Sequence, residues 1–313
     1  MKRKWLMLGS AIGISSVVLI TSGFTALAST SGYDAYKSAL KNTKTLHSVS
    51  VQAEAQLKDN GSSLFSGSGS LKADLAGKAD SASATLQGQG GARTVNFYKQ
   101  DGKTIVKESG SDVYYVEQDG KKKGEQDKEK LDGQVPQEVE NVIDALVGNL
   151  KDYVTLNTQT DGTKAISLHL TDTQLPAVAQ AFGALAIKQA DTEQGRETND
   201  DAAQSGKAAK NGREGLKSNL KDVLKLDLPQ LATDIKIDAV DLKAVINADN
   251  YIQHQEADIT VSGKDAAGAA HQVVLHLNGD FSGFNSTTPD KVDLTGKTVQ
   301  TVQNHNKDRS SKE

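Results

Sequence analysis

Short stretches of alternating apolar and polar residues, joined by dipeptides that favour tight turns, are the feature that most restricts the fold of this chain. The first stretch, residues 49–57, is followed by Asn60-Gly61, and similar patterns adjoin Asp101-Gly102 and Asp161-Gly162. A period of two places successive side chains on opposite faces of a strand, and Asn-Gly or Asp-Gly supplies the positive φ angles of a hairpin turn. The pattern therefore predicts an antiparallel meander.

Three other segments have the three-and-four spacing of amphipathic helices. They are residues 33–46, the segment from Pro136 to Tyr153, and residues 173–186. Together with roughly nine to eleven strands, these helices predict an α+β fold in which a curved antiparallel sheet is covered by two or three helices.

The N-terminus has the three-part layout of a secretory signal. Lys2, Arg3 and Lys4 precede an apolar run over residues 5–20, and Ala26-Leu27-Ala28 offers a cleavage site for a signal peptidase. The alternative is an uncleaved anchor over residues 5–28, which is about long enough to cross a bilayer at roughly 20 residues per span. In either case we expect the domain to be exported, to the cell envelope or the extracellular space.

Composition excludes several partner and reaction classes. Removing the three positive charges of residues 1–28 takes the net charge from −4 to −7, and nucleic acids and anionic membranes both need clustered positive charge. The chain has no cysteine, which excludes disulfides, thiol catalysis, thiolate zinc sites and a lipid-modified N-terminal cysteine. Burial and backbone pairing must therefore hold the fold together.

The polar segments divide the chain. Residues 188–219 contain almost no large apolar side chain, which indicates a solvated and flexible insertion. Residues 303–313 have the composition of a disordered tail. We therefore expect one domain over residues 29–302, interrupted by this insertion.

The sequence offers no recognisable catalytic or metal-binding pattern. Gly67-Ser68-Gly69 lacks the G-x-S-x-G frame of a nucleophile elbow, and no carboxylate pair lies in an apolar setting. His271 and His276 are five residues apart in an extended segment and so point to opposite faces. We expect the histidines to be structural or exposed, and we predict neither an enzyme nor a bound metal or cofactor.

The apolar face of the early strands is built largely from small residues. Positions 53, 55, 67, 69, 73, 82 and 84 are all Ala or Gly. Either the helices pack closely against this face, or the face leaves an apolar hollow for a guest. In the second case the predicted lining residues are Phe65, Leu71, Phe97, Tyr115, Leu146 and Phe182.

The order of these elements resembles the LolA/LppX-like superfamily of outer-membrane lipoprotein-sorting carriers, in its exported Gram-positive form. The resemblance lies in residues 33–40 leading into Leu46-His47-Ser48-Val49, in Tyr114-Tyr115-Val116 before Val135-Pro136, and in residues 285–290 and 292–297. It implies a strongly curved half-barrel closed by helices, with an acyl chain held in the hollow.

Two functions agree with these patterns. The first is a non-enzymatic extracytoplasmic protein that binds a lipid, an acyl chain or a lipoprotein-like apolar ligand in a half-barrel cavity. The alternative is a cell-envelope structural or interaction protein with a filled core, which contacts proteins or wall polymers through its polar surface and residues 188–219.

Overall fold

A computed structural model describes residues 31–118, 151–175 and 229–301, together with positions 177 and 180. Within the first range, positions 44 and 78 are not among the described residues. The predicted leader, insertion and tail lie outside these residues, as do Leu146 and Phe182.

Twelve strands form one open sheet. In chain order they are β1 (Ser48–Asp59), β2 (Ser62–Asp74), β3 (Ala79–Gly88), β4 (Gly91–Gln100), β5 (Lys103–Glu108), β6 (Val113–Gln118), β7 (Val154–Thr158), β8 (Lys164–Thr171), β9 (Thr233–Ile246), β10 (Ile252–Lys264), β11 (Ala270–Ser282) and β12 (Thr298–Thr301). The prediction of nine to eleven strands was too low because β12 has four exposed residues and no apolar pattern to reveal it.

Two meanders make up the sheet. The order is β12-β6-β5-β4-β3-β2-β1-β11-β10-β9-β8-β7, so β1 to β6 form one meander and β7 to β11 the other. They join where β1 pairs with β11. All pairings are antiparallel except that of β12 with β6, which is parallel.

Two of the three predicted hairpin turns are confirmed. Asp161-Gly162 instead lies in a longer loop between β7 and β8, where only Gly162 of the pair has a positive φ angle, 84°. Asn60 and Gly61 have φ angles of 48° and 81°, and Asp101 and Gly102 have 51° and 67°. Both residues of each pair are therefore left-handed, as a type I′ turn requires. The Asn60 side chain also bonds to β11, accepting from the amide of Gln272 at 3.0 Å.

The helix predicted over residues 33–46 is confirmed as α1 (Gly32–Thr43). Its Tyr36, Ala39 and Leu40 side chains are buried in a core cluster with residues of β1 and β8 to β11. At its C-terminal end, the Thr43 hydroxyl donates to the carbonyl of Ala39 and accepts from the amide of Ile252 at the start of β10. This ties the helix to the second meander.

Most of the other two predicted helices lies outside the described residues. Lys151–Tyr153, at the end of the first, form a single turn of 3₁₀ helix. In the second, Gln180 is helical, and its side-chain amide bonds to both backbone groups of Ile237 in β9, each at 2.8 Å. Among the described helices, none is both long and apolar enough to cross a membrane.

Residues 283–297, which we call the C-terminal strap, cross the ends of the first four strands. The amide of Thr287 bonds to Ser48 of β1, and the amide of Asp290 bonds to Ser81 of β3. The side-chain amide of Gln100 in β4 bonds to both backbone groups of Val292, each at 2.9 Å. The strap then leads into β12, so the end of the described chain is fastened to the first meander.

Candidate functional site

One row of apolar side chains crosses seven neighbouring strands on the face that α1 covers in part. From β11 to β6 the paired residues are Phe281, Val51, Leu71, Ala82, Phe97, Val106 and Tyr115. Strand pairing places directly opposite residues on the same face of a sheet. The row is therefore continuous from the core beneath α1 to the far meander.

Three of the predicted lining residues belong to this row. Leu71, Phe97 and Tyr115 are half-buried, whereas Phe281 at the covered end is 7% exposed. Phe65 lies on the same face, six residues before Leu71 in β2. The structure thus places these four side chains on one face of the sheet. The outward half of the row keeps apolar surface accessible.

The small residues of this face are partly covered. Ala53 and Ala84 are buried. A Cβ atom on Gly67 would lie 3.0 Å from Cζ of Phe65 and 3.2 Å from Cδ2 of Leu86. At Gly67, therefore, the missing side chain leaves room for neighbouring side chains of the protein itself and not for a guest.

Charged residues lie at both ends of the apolar stretch on β4. Arg93 approaches Glu108 of β5 at 4.0 Å, and Lys99 is directly opposite Asp80 of β3. Burial raises the pKa of Asp80, although Lys99 opposes the shift. Arg93 and Lys99 flank Val95 and Phe97 on the same face. The apolar surface of β4 is therefore bounded at each end by a cation that has a carboxylate neighbour.

Around β1 the opposite face is polar and carries a groove, whereas on β5 and β6 it carries the buried Ile105 and Val116. Three adjoining cavities of about 380, 350 and 240 Å³ share residues, the first two through Glu54, Ser68 and Thr85 and the last two through Gln56 and His276. Their lining is mainly hydroxyl, amide and carboxylate groups. We had not predicted this groove, because short polar side chains on a strand have no distinctive sequence pattern.

Four of the five described histidines pair with aspartates. His276, His254 and His271 approach Asp258, Asp280 and Asp59, each with Nδ1 2.8 Å from a carboxylate oxygen, and His169 pairs in the same way with Asp241. His271 and His276 lie on opposite faces of β11, as their spacing predicted. The sequence did not reveal the pairs, because each partner is on another strand and depends on register.

His271 is the most enclosed of these four histidines, with 18% of its side chain exposed. The hydrogen bond to Asp59 raises the pKa of His271 above its usual range, with a further contribution from Asp265, whose Oδ2 is 3.7 Å from Nε2. Burial raises the pKa of the Tyr36 hydroxyl, as it does for buried phenols in general, and the side chain of Gln255 opposes that shift. Tyr36 belongs to the core cluster that also contains Val51 and Phe281, at the covered end of the apolar row.

Comparison with known proteins gives weak similarities only. No protein-family model matches the chain, and no curated protein matches it. A DUF1329 family protein from Desulfovibrio piger ATCC 29098 aligns at 10% identity and a TM-score of 0.19, over 80% of this chain and 90% of that one. The ywiB protein from Bacillus subtilis aligns at 9% identity and a TM-score of 0.14, over 77% and 97%. TM-scores this low do not establish a shared fold.

Proposed function

We propose that the protein is a non-enzymatic, exported binding protein that holds a lipid or acyl chain against the outward half of the apolar row. In this proposal the sheet curves into a half-barrel, and the two amphipathic segments over residues 136–153 and 173–186 close it. The observation that supports the proposal best is the row itself, because strand pairing links Leu71, Phe97 and Tyr115 through Ala82 and Val106, and all three are only half-buried.

The size of this surface suits an acyl chain. Leu71 on β2 and Tyr115 on β6 are four strand spacings apart, which is about 19 Å at roughly 4.8 Å per spacing. One leaflet of the hydrocarbon core of a bilayer is about 15 Å thick. A single extended acyl chain therefore fits along the outward half of the row.

The driving force is the burial of methylene groups. Each buried CH₂ contributes about 0.8 kcal/mol, and a factor of ten in affinity is about 1.4 kcal/mol. Affinity for straight-chain fatty acids should therefore rise roughly fourfold per methylene until the surface is filled. A chain-length series on delipidated protein measures this slope directly.

Neighbouring tyrosines on β6 provide a matched pair of variants. Tyr115 lies in the apolar row, whereas Tyr114 is on the other face with the Lys107 ammonium 5.5 Å from its ring centroid. We expect Tyr115→Ser to weaken binding of a fluorescent fatty acid about tenfold or more, and Tyr114→Ser to leave it nearly unchanged. Equal effects of the two substitutions, or no saturable uptake by the parent protein, would refute the proposal.

The polar groove favours a second candidate, an envelope protein that contacts a hydroxyl-rich wall polymer. Its lining of Ser, Thr, Gln and Glu side chains offers many hydrogen-bond donors and acceptors. Sedimentation with purified cell-wall polymer tests it. If the protein has this second function, Glu54→Ala or deletion of residues 188–219 reduces its co-sedimentation with the polymer, and Tyr115→Ser does not.

A further inference from the structure

We propose that Glu256, Asp258 and His276 bind a divalent metal ion of the zinc class on the polar face of the sheet. One ligand atom from each of these side chains lies within 4.8 Å of the others. Glu256 and Asp258 are two residues apart on β10, so they share a face, and His276 of β11 is directly opposite Asp258. Strand pairing alone therefore brings the three donors together.

A fourth donor adjoins the three. Asn278 is directly opposite Glu256 on β11, two residues from His276 on the same face. Its Oδ1 atom is buried and has no hydrogen-bond partner among the described residues. Because buried polar atoms are nearly always paired, an unpaired amide oxygen next to two carboxylates and an imidazole favours the binding of a cation at this place.

The local charge also favours a cation. Asp258 lies directly opposite Asp241 of β9 as well as His276, and like charges directly opposite each other destabilise a sheet. Two lysines adjoin the donors: Lys243, whose Nζ is 3.4 Å from Oε1 of Glu256, and Lys58, which lines the same cavity as Asp258 and His276. The Lys243–Glu256 contact is the ion pair that a bound metal ion would replace. That pair is exposed enough for a metal ion to displace the ammonium, since Lys243 is 61% exposed.

The donors are preorganised and accessible. The hydrogen bond from Nδ1 of His276 to Asp258, at 2.8 Å, fixes the imidazole beside the carboxylate. Asp258 and His276 line the end of the groove, a cavity of about 240 Å³, and each is about one-third exposed. This opening gives an ion a path in and leaves room for a water ligand.

The donor set indicates which ion. One imidazole with two carboxylates suits Zn²⁺ and its first-row neighbours, whereas Ca²⁺ and Mg²⁺ prefer all-oxygen sites with more ligands. The site is on the opposite face from the apolar row, so its presence does not depend on lipid binding.

Isothermal titration of the chelator-treated, tag-free protein with Zn²⁺ tests the proposal. We expect one site whose affinity falls about tenfold or more in both His276→Gln and Glu256→Gln, and a weaker, His276-independent response to Ca²⁺. The matched control is His254→Gln, because His254 is also paired with an aspartate on this face and is similarly exposed, at 31% against 35%.

Circular dichroism before titration establishes that each variant is folded, and Glu256→Gln keeps the test valid if His276→Gln does not fold. Retained affinity in Glu256→Gln, an equal loss in His254→Gln, or no stoichiometric Zn²⁺ binding by the parent protein would each overturn the proposal.

Discussion

Asp258 of β10 lies directly opposite Asp241 of β9, and each carboxylate pairs with a histidine on its outer side, His276 and His169 respectively. The result is a row of His, Asp, Asp and His across four neighbouring strands. Two carboxylates at adjacent positions repel each other, so part of the stabilisation from the histidine pairs offsets that repulsion.

A double-mutant cycle measures this repulsion. Asp241→Asn and Asp258→Asn each remove one aspartate–histidine pair. Either substitution alone also removes the repulsion between the two carboxylates, so the second substitution brings no further relief. We therefore expect the double variant to be less stable than the two single effects predict, by a few tenths of a kcal/mol to about 1 kcal/mol. Urea unfolding in the presence of a chelator gives the four free energies. Asp241→Asn combined with Asp280→Asn, which are not opposite each other, should be additive.

His271 should make stability depend on pH. Its pKa is raised in the folded state, mainly by the hydrogen bond to Asp59, above a reference value of about 6.5. The protonated form is thus favoured by folding, and the stabilisation is complete below the unfolded pKa and is lost as the pH rises through the folded pKa. We expect the stability difference between the parent and His271→Gln to shrink from pH 6 to pH 8.5 in urea titrations. A difference that stays constant or grows would contradict this assignment.

Adding a methyl group at Gly67 should lower the stability of the fold. Its Cβ position is 3.0 Å from Cζ of Phe65 and 3.2 Å from Cδ2 of Leu86, so Gly67→Ala forces one of these side chains to move. Overpacking of this kind costs about 1–3 kcal/mol in the free energy of unfolding. The same substitution in a Phe65→Leu background should cost clearly less, because the ring is gone. Chemical denaturation of the four proteins tests the coupling, and an additive result would show that the ring is not the obstacle.

The attachment of the C-terminal strap to the sheet should depend on Gln100. Its amide makes two hydrogen bonds to Val292, and net contributions of about 0.5–1.5 kcal/mol per bond predict a loss of about 1–3 kcal/mol in Gln100→Ala. Limited proteolysis should then cut residues 283–297 faster than in the parent protein. Gln87→Ala, in the neighbouring strand β3, serves as the control because, among the described residues, its side chain bonds only to the adjacent Gly88 carbonyl. Equal cleavage rates in the two variants would count against the role of Gln100.

Local signals in the sequence predicted local structure well. Asn60-Gly61 and Asp101-Gly102 specified their turns because few other dipeptides take two positive φ angles, and the spacing of Tyr36 and Leu40 specified α1. The face shared by Leu71, Phe97 and Tyr115 also followed from alternation along each strand. Alternation along a strand does not specify the register between strands. It is the register that places Leu71, Phe97 and Tyr115 in one row.

Long-range pairing was beyond the sequence patterns. Nothing in β1 identifies β11 as its second neighbour, because both strands alternate in the same way and many other pairings would bury the same residues. β12 was missed because Thr298–Thr301 has no apolar face. The approach of Glu256, Asp258 and His276 depends on the β10–β11 register, so the sequence predicted no metal site there.

The pairing of β1 with β11 has a consequence for synthesis of the chain. A ribosome completes the first meander long before residues 270–301 exist, so an emerging chain exposes the unpaired edge of β1 and lacks the strap. An open apolar strand edge invites association with other chains. Nascent or truncated molecules should accordingly need a holding chaperone until residues 270–301 have been translated.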